Sequence, residues 1–157
     1  MRILGIDPGT GILGFGVIDL DEKGKVSLVD AGVIRTPVNQ PDSERLVTIY
    51  DELHEIITTS KPTVMSVEKL FFSQNVTTAM SVSQARGVVL LCGKQHKLEL
   101  YEYTPNQIKL AITGHGKADK KQMQEMVRIL LGLKEVPKPD DAADALAAAI
   151  CCTTNMR

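Results

Sequence analysis

Near its start the chain carries a short apolar run, Ile3-Leu4-Gly5-Ile6, that ends abruptly in Asp7 and is followed by Pro8-Gly9-Thr10-Gly11. An apolar run stopped by proline and glycine predicts a β-strand that delivers Asp7 to the rim of a sheet. Pro8 and Gly9 end the strand, while Gly11 and Gly14 let the chain fold back into a second apolar stretch, Phe15-Gly16-Val17-Ile18-Asp19. A carboxylate fixed at such a rim needs a cation or a proton. An isolated Asp-Pro-Gly is most simply a turn in which the aspartate caps its own backbone. What raises Asp7 above that reading is the set of acids that follows it.

The chain has 157 residues, of which 43% are hydrophobic, enough for one domain with a proper core, and we expect a single domain over residues 1–157. Aromatic residues make up 4% and tryptophan is absent, so the core must be aliphatic and rich in alanine. No stretch approaches an uninterrupted membrane span, and Met1-Arg2-Ile3 leads straight into a strand, which predicts a cytoplasmic protein without a signal peptide. Cys92, Cys151 and Cys152 are odd in number and two are adjacent, so neither a structural bridge nor a zinc site is expected. The net charge of -1 conceals a basic region: between Arg86 and Lys134 there are nine basic residues against four acidic ones. Such a region suits a polyanion, although on charge alone an ordinary solvated surface explains it better.

Read in order, the pattern predicts three strands, Ile3 to Ile6, Gly14 to Leu20 and Val26 to Arg35, as an antiparallel meander. A helix starts at Pro41-Asp42-Ser43-Glu44, carries Leu46, Ile49, Tyr50, Leu53, Ile56 and Ile57 on one face, and stops at Lys61-Pro62. Thr63 to Glu68 is a fourth strand, and it too ends in a carboxylate. The segment from Gln74 to Gln95 is apolar or small nearly all round, which predicts a helix buried on one side by its own sheet and on the other by a second subunit. Leu98 to Tyr103 is a fifth strand. A helix begins at Thr104-Pro105 and breaks at Thr113-Gly114-His115-Gly116-Lys117; the next runs from Asp119 to Leu131, with Met123, Met126, Val127, Leu130 and Leu131 inward. The last helix is Asp141 to Cys152.

Asp141 and Asp144 lie three apart on that helix and share a face, while Leu146 and Ile150 form another that can dock on the sheet. Acids at a helix start are explained by the positive end of the helix dipole, and that accounts for Asp140 and Asp141, with Asp140 expected as a cap. It accounts less well for Asp144, one turn in. With Asp7 and Glu68 at strand ends, four carboxylates are available to converge. Acids brought so close are stable only around a cation, and oxygen-only ligation points to Mg²⁺ or Mn²⁺.

Taken together, Gly5-Ile6-Asp7-Pro8-Gly9-Thr10, Val67-Glu68 with Phe71, Gln84-Ala85-Arg86-Gly87, Gly114 to Lys120 and Asp141-Ala142-Ala143-Asp144-Ala145-Leu146-Ala147 resemble the RuvC family of bacterial Holliday-junction resolvases, within the RNase H-like nuclease superfamily. The resemblance runs from Ile3 to about Ile150. It implies an α/β fold, a five-stranded mixed sheet flanked by helices on both faces, and a homodimer that nicks two strands of a four-way DNA junction symmetrically during recombination and repair. It implies that Asp7, Glu68, Asp141 and Asp144 are the catalytic acids and hold Mg²⁺, with Mn²⁺ as a substitute and two ions per site. Lys109 and Lys120 match lysines near the scissile phosphate, with Lys120 the candidate for neutralising charge there, and Phe71 matches an aromatic that contacts bases near the crossover. Lys117 and Lys121 join the expected DNA-binding set. The implied partners are the branch-migration proteins RuvA and RuvB. Two features depart from the pattern: the pI near 6.3, unhelpful for binding DNA, and Asp140 beside Asp141, where the Asp-Ala-Ala-Asp pattern selects Asp141.

Two other readings fit parts of the chain. Asp-Pro-Gly-Thr after a first strand also occurs in actin-like ATPases and sugar kinases, where it cradles phosphates, but those proteins need two such lobes and this chain has room for one. A small domain that binds nucleic acid without cutting is the other, and the complete acid set argues against it.

Overall fold

The structure is a computed structural model and describes residues 1–69 and 76–156. Five strands, β1 (Arg2–Asp7), β2 (Ile12–Leu20), β3 (Val26–Arg35), β4 (Val64–Glu68) and β5 (Glu99–Tyr103), form one sheet in the order β3-β2-β1-β4-β5. The first three are an antiparallel meander, as the short turns between them require, whereas β4 and β5 add in parallel beside β1. Parallel neighbours need crossover connections, and α1 (Asp42–Ser60) and α2 (Val76–Gln95) supply them. The remaining helices are α3 (Pro105–Thr113), α4 (Lys120–Leu130) and α5 (Asp140–Asn155). The α/β sheet flanked by helices on both faces is the architecture expected from the sequence.

Strand alternation decides which residues meet which helices. On one face Leu4, Ile6, Leu13, Val17, Met65 and Val67 pack with Ile49, Leu53 and Ile57 of α1 and Ala85, Val89 and Cys92 of α2. On the other, Ile3, Ile18 and Val64 pack with α5, α3 and α4 through Leu146, Ile150, Ile108, Ile112, Met123 and Val127. Asp7 is in step with Ile3 and Gly5, and Glu68 with Val64 and Ser66. Both carboxylates are therefore on the α5 side of the sheet.

α5 is the central buried element: from Ala142 to Thr153 every residue except Asp144 is buried. Alanines bring its backbone close to the sheet, and the strands answer with glycines. A Cβ on Gly5 would stand 2.0 Å from the Ala145 carbonyl oxygen, one on Gly14 would stand 1.9 Å from that of Asp141, and one on Gly16 would meet Leu146 at 2.6 Å. Ser66, fully buried, donates from Oγ to the Ala148 carbonyl at 2.6 Å and so pins β4 to the same helix.

Several expectations need correction. α5 extends three residues beyond Cys152 and begins at Asp140, whose side chain does not cap it; Pro139 occupies the N-cap position without a side-chain hydrogen bond. α2 is buried on one side only: Ala79, Ala85, Val89, Cys92 and Gly93 face the core, while Val76, Met80 and Leu91 are exposed. Its expected start at Gln74 lies outside the described residues. On α4, Met123, Val127 and the following Leu131 are buried, but Leu130 points outward. All three cysteines are free and buried.

Candidate active site

Asp7 is the last residue of β1 and Glu68 the last of β4, and the two strands pair in parallel through Ile3–Val64 and Ile6–Val67. One step beyond the Ile6–Val67 pair, the two acids leave the sheet side by side. On the other side of β1, Asp7 is paired with Gly14, the residue whose missing side chain admits the first turn of α5 at Asp141. The same glycine thus brings Asp141 beside the strand that carries Asp7.

Asp7, Glu68 and Asp144 line a cleft of about 320 Å³ together with Lys109 of α3, Lys120 of α4 and the α4 N-cap Asp119. Asp141 is half-buried at the edge of this group and does not line the cleft itself, yet its charge acts on both Asp7 and Asp144. Burial pushes the Asp7 carboxyl up to about 8, with the charges of Glu68, Asp144 and Asp141 adding to it and Lys120 opposing. Burial likewise raises Glu68 to about 7, helped by Asp144 and resisted by Lys109 and Lys120. Asp144 is raised by burial as well, although Lys120 pulls against the shift. The acids are crowded enough that some hold protons near neutrality unless a cation is present.

Lys120 supplies part of that positive charge. Its Nζ stands 3.2 Å from Asp140 and 3.8 Å from Asp144. Burial works against its charge, but Asp144 and Asp140 outweigh it and leave its pKa raised. Asp140 in turn accepts from Gln124 Nε2 at 3.0 Å and is held below the usual carboxylate range, chiefly by its hydrogen bond from Lys120. Instead of capping α5, Asp140 therefore tethers Lys120 at the mouth of the cleft. Lys120 opens α4, whose start is fixed by a reciprocal capping box between Asp119 and Gln122; Thr104 and Gln107 build the same box at the start of α3, one turn before Lys109.

Not every predicted site residue joins this group. Lys117 is exposed in the loop before α4, and Lys121 lines a separate groove on the outer side of that helix. Phe71 lies outside the described residues. Within the basic region, Arg86 is ion-paired with Glu102 and Arg128 with Glu125 at 2.6 Å, so neither offers a free charge.

Oxygen-only donors, with the carboxyls of Asp7, Glu68 and Asp144 raised, fit a hard divalent cation chemically. Among the described residues, however, no three His, Cys, Asp or Glu side chains already form a group that could hold an ion.

The family model for crossover junction endodeoxyribonuclease RuvC matches residues 3–152, nearly the whole chain. The chain belongs to the RuvC family. The crossover junction endodeoxyribonuclease RuvC of Heliobacterium modesticaldum is 51% identical over 156 residues, covering 99% of this chain and 96% of that relative. Among solved structures, Thermus thermophilus RuvC superposes with a TM-score of 0.89 at 38% identity, covering 96% of this chain and 92% of that one. The same protein in complex with a Holliday junction substrate gives a TM-score of 0.87 at 34% identity with the same coverage. The RuvC match includes both strand-end acids and the α5 pair.

The sequence did not reveal Asp140 as the partner of Lys120, because the contact joins two helices twenty residues apart. The Asp-Asp doublet was the visible signal: one acid of the pair serves α5's inner face and the other is left to reach α4.

Proposed function

We propose that this chain is a structure-specific endonuclease that resolves four-way DNA junctions by hydrolysing phosphodiesters in two opposed strands. The observation that carries the reading is the single cleft in which Asp7, Glu68 and Asp144 meet Lys109 and Lys120, in a chain of the RuvC family. Acids alone would repel a phosphodiester. Paired with cations at the cleft mouth, they suit a substrate that is itself an anion and is processed with a divalent ion.

Asp7, Glu68, Asp141 and Asp144 are the residues that would hold Mg²⁺, or Mn²⁺ in its place, as two ions. When bound, such ions polarise the phosphate and ease deprotonation of the attacking water. The chain's own groups do the rest: Lys109 and Lys120 attract and orient the scissile phosphate, and Lys120, tethered by Asp140, is placed to neutralise charge that develops there. Asp144, paired loosely with Lys120, is suited to orient a water or an ion. The domain acts as one nuclease unit over residues 1–157.

A homodimer is part of the proposal, since two opposed nicks need two sites. The exposed Val76, Met80 and Leu91 on α2, with Gly87 on the same face, support an interface there. By family resemblance, RuvA and RuvB are the proposed partners in the cytoplasm. No helix among the described residues is long and apolar enough to cross a membrane.

The test is incubation with a synthetic mobile four-way junction, with and without Mg²⁺, mapping cuts on all strands. Paired nicks at symmetric positions only with the ion are expected. Equal cutting of linear duplex, or no cutting, would reject the reading.

A further inference from the structure

A second concavity lies on the outer side of α4, between that helix and the segment leading to Pro139. At about 720 Å³ it is more than twice the volume of the catalytic cleft, its walls are chiefly apolar, and the two concavities meet at Asp119. Its apolar wall carries Met126 and Val136, and His115, Lys121 and Lys138 are among its lining residues. Of the acids beside it, Asp119 is occupied in capping α4 and Glu125 is held by Arg128 at 2.6 Å. Lys121 and Lys138 make no ion pair among the described residues, although the charge of Lys138 acts on Asp140, and together they outweigh Asp119, the lining acid without an ion pair among those residues.

We propose that this groove is a subsite for one unstacked nucleotide of the cleaved strand, next to the nucleotide whose phosphate enters the catalytic cleft. The inference rests on the junction-cleaving reading above. A nucleotide has an apolar, planar base and an anionic phosphate, and the groove offers the matching pair: Met126 and Val136 against the base, Lys121 and Lys138 toward the phosphates, with the His115 ring available for stacking. Unstacking a base costs least where its stack is already interrupted, as at a crossover. Occupancy is also connected to the chemistry. Gln124, which lines the groove, donates to Asp140, and Asp140 holds Lys120 at the cleft. A base seated here bears on the wall that positions Lys120, so the groove couples local strand sequence to cutting.

The experiment uses the full chain and a four-way junction carrying 2-aminopurine at single positions on either side of the scissile phosphate, bound in EDTA so that no cutting occurs. One position should change fluorescence on binding, and Val136→Glu, which places a carboxylate in the groove, should abolish that change and weaken junction affinity about tenfold. Lys138→Ala, at an exposed position where folding is not at stake, should lower the slope of log affinity against log salt by about 1. If no flanking position responds, or if Val136→Glu folds and binds with wild-type affinity and signal, the subsite does not exist. Wild-type nicking of the same junction in Mg²⁺, measured in parallel, separates that result from a failure of the junction-cleaving reading. Unchanged junction binding with lost capture of a protein partner would assign the groove to that partner and overturn the nucleotide subsite.

Discussion

Asp7 carries the largest burden of any residue in the cleft, being half-buried and flanked by three other acids, and its carboxyl is pushed up from 3.8 to about 8. A carboxyl whose folded pKa exceeds its unfolded value contributes stability that is present below the unfolded pKa and lost as pH rises through the folded one. Asp7 and Glu68, the latter raised from 4.5 to about 7, therefore make the metal-free protein less stable as pH climbs from about 4 toward 8. In EDTA the melting temperature should fall over that window. Asp7→Asn should remove much of the slope and stabilise the protein at pH 8 by about 1 kcal/mol or more, one pKa unit being about 1.4 kcal/mol. A melting temperature that is flat with pH, or identical in the variant, would refute the crowding. The same variant should lose nicking in Mg²⁺ by about 10³-fold, roughly 4 kcal/mol of barrier, yet keep or gain junction affinity in EDTA, since one repulsive charge is gone. Asp140→Asn tests the tether: with Lys120 loosened, nicking should drop about tenfold, roughly 1.4 kcal/mol, while junction binding stays near the wild type. An inert Asp140→Asn would leave Lys120 positioned by Asp144 alone.

At the scale of elements, the site exists because a helix lies unusually close to a sheet. Leu146 and Ile150 were legible in the sequence as the face by which α5 docks on the sheet, and the strand-terminal positions of Asp7 and Glu68 followed from apolar runs that end in an acid. What the sequence could not supply was the pairing of those features across the layer. Gly5, Gly14 and Gly16 read as turn or strand glycines, whereas each is the place where α5 touches the sheet. Gly5→Ala should therefore act on the site as well as on the core. Its Cβ would meet backbone at 2.0 Å from the Ala145 carbonyl, which no rotamer change relieves, so α5 must lift. Overpacking of this kind costs about 1–3 kcal/mol or more, visible as a lower denaturant midpoint, and it should depress nicking beyond what stability explains because Asp144 moves with the helix. Full activity and wild-type stability would mean that the layer spacing does not set the site. Asp144, half-buried among fully buried neighbours, is held at the cleft by this same packing, and that is why helix-start chemistry alone did not account for it.

At the scale of the whole molecule, the outer face of α2 is apolar and exposed among the described residues. The sequence suggested an α2 buried on both sides, and within one chain only half of that holds. Ala79, Ala85 and Val89 are covered by the subunit's own core, but Val76, Met80 and Leu91 are 64%, 62% and 54% exposed. These three, with Ser83 and Gly87 between them, fall within a narrow arc at a repeat of 3.6 residues per turn, and a Cβ on Gly87 would meet nothing within 4 Å. An apolar stripe with small residues at its centre allows a second α2 to approach closely, and a two-fold axis through it would make the contact self-complementary. Wild-type protein should sediment at micromolar concentration as twice the 17.1 kDa chain, and Gly87→Arg or Leu91→Glu should sediment as the single chain. Both substitutions are on an open surface, so the separated subunits should keep their folded secondary structure. They should also change the pattern of cutting more than the chemistry: a lone subunit has one cleft, so paired nicks on opposed strands should give way to single nicks at a rate limited by weaker junction binding. A wild-type protein that is monomeric at these concentrations and still cuts in pairs would detach the stripe from assembly and require the second site to be recruited by the junction itself.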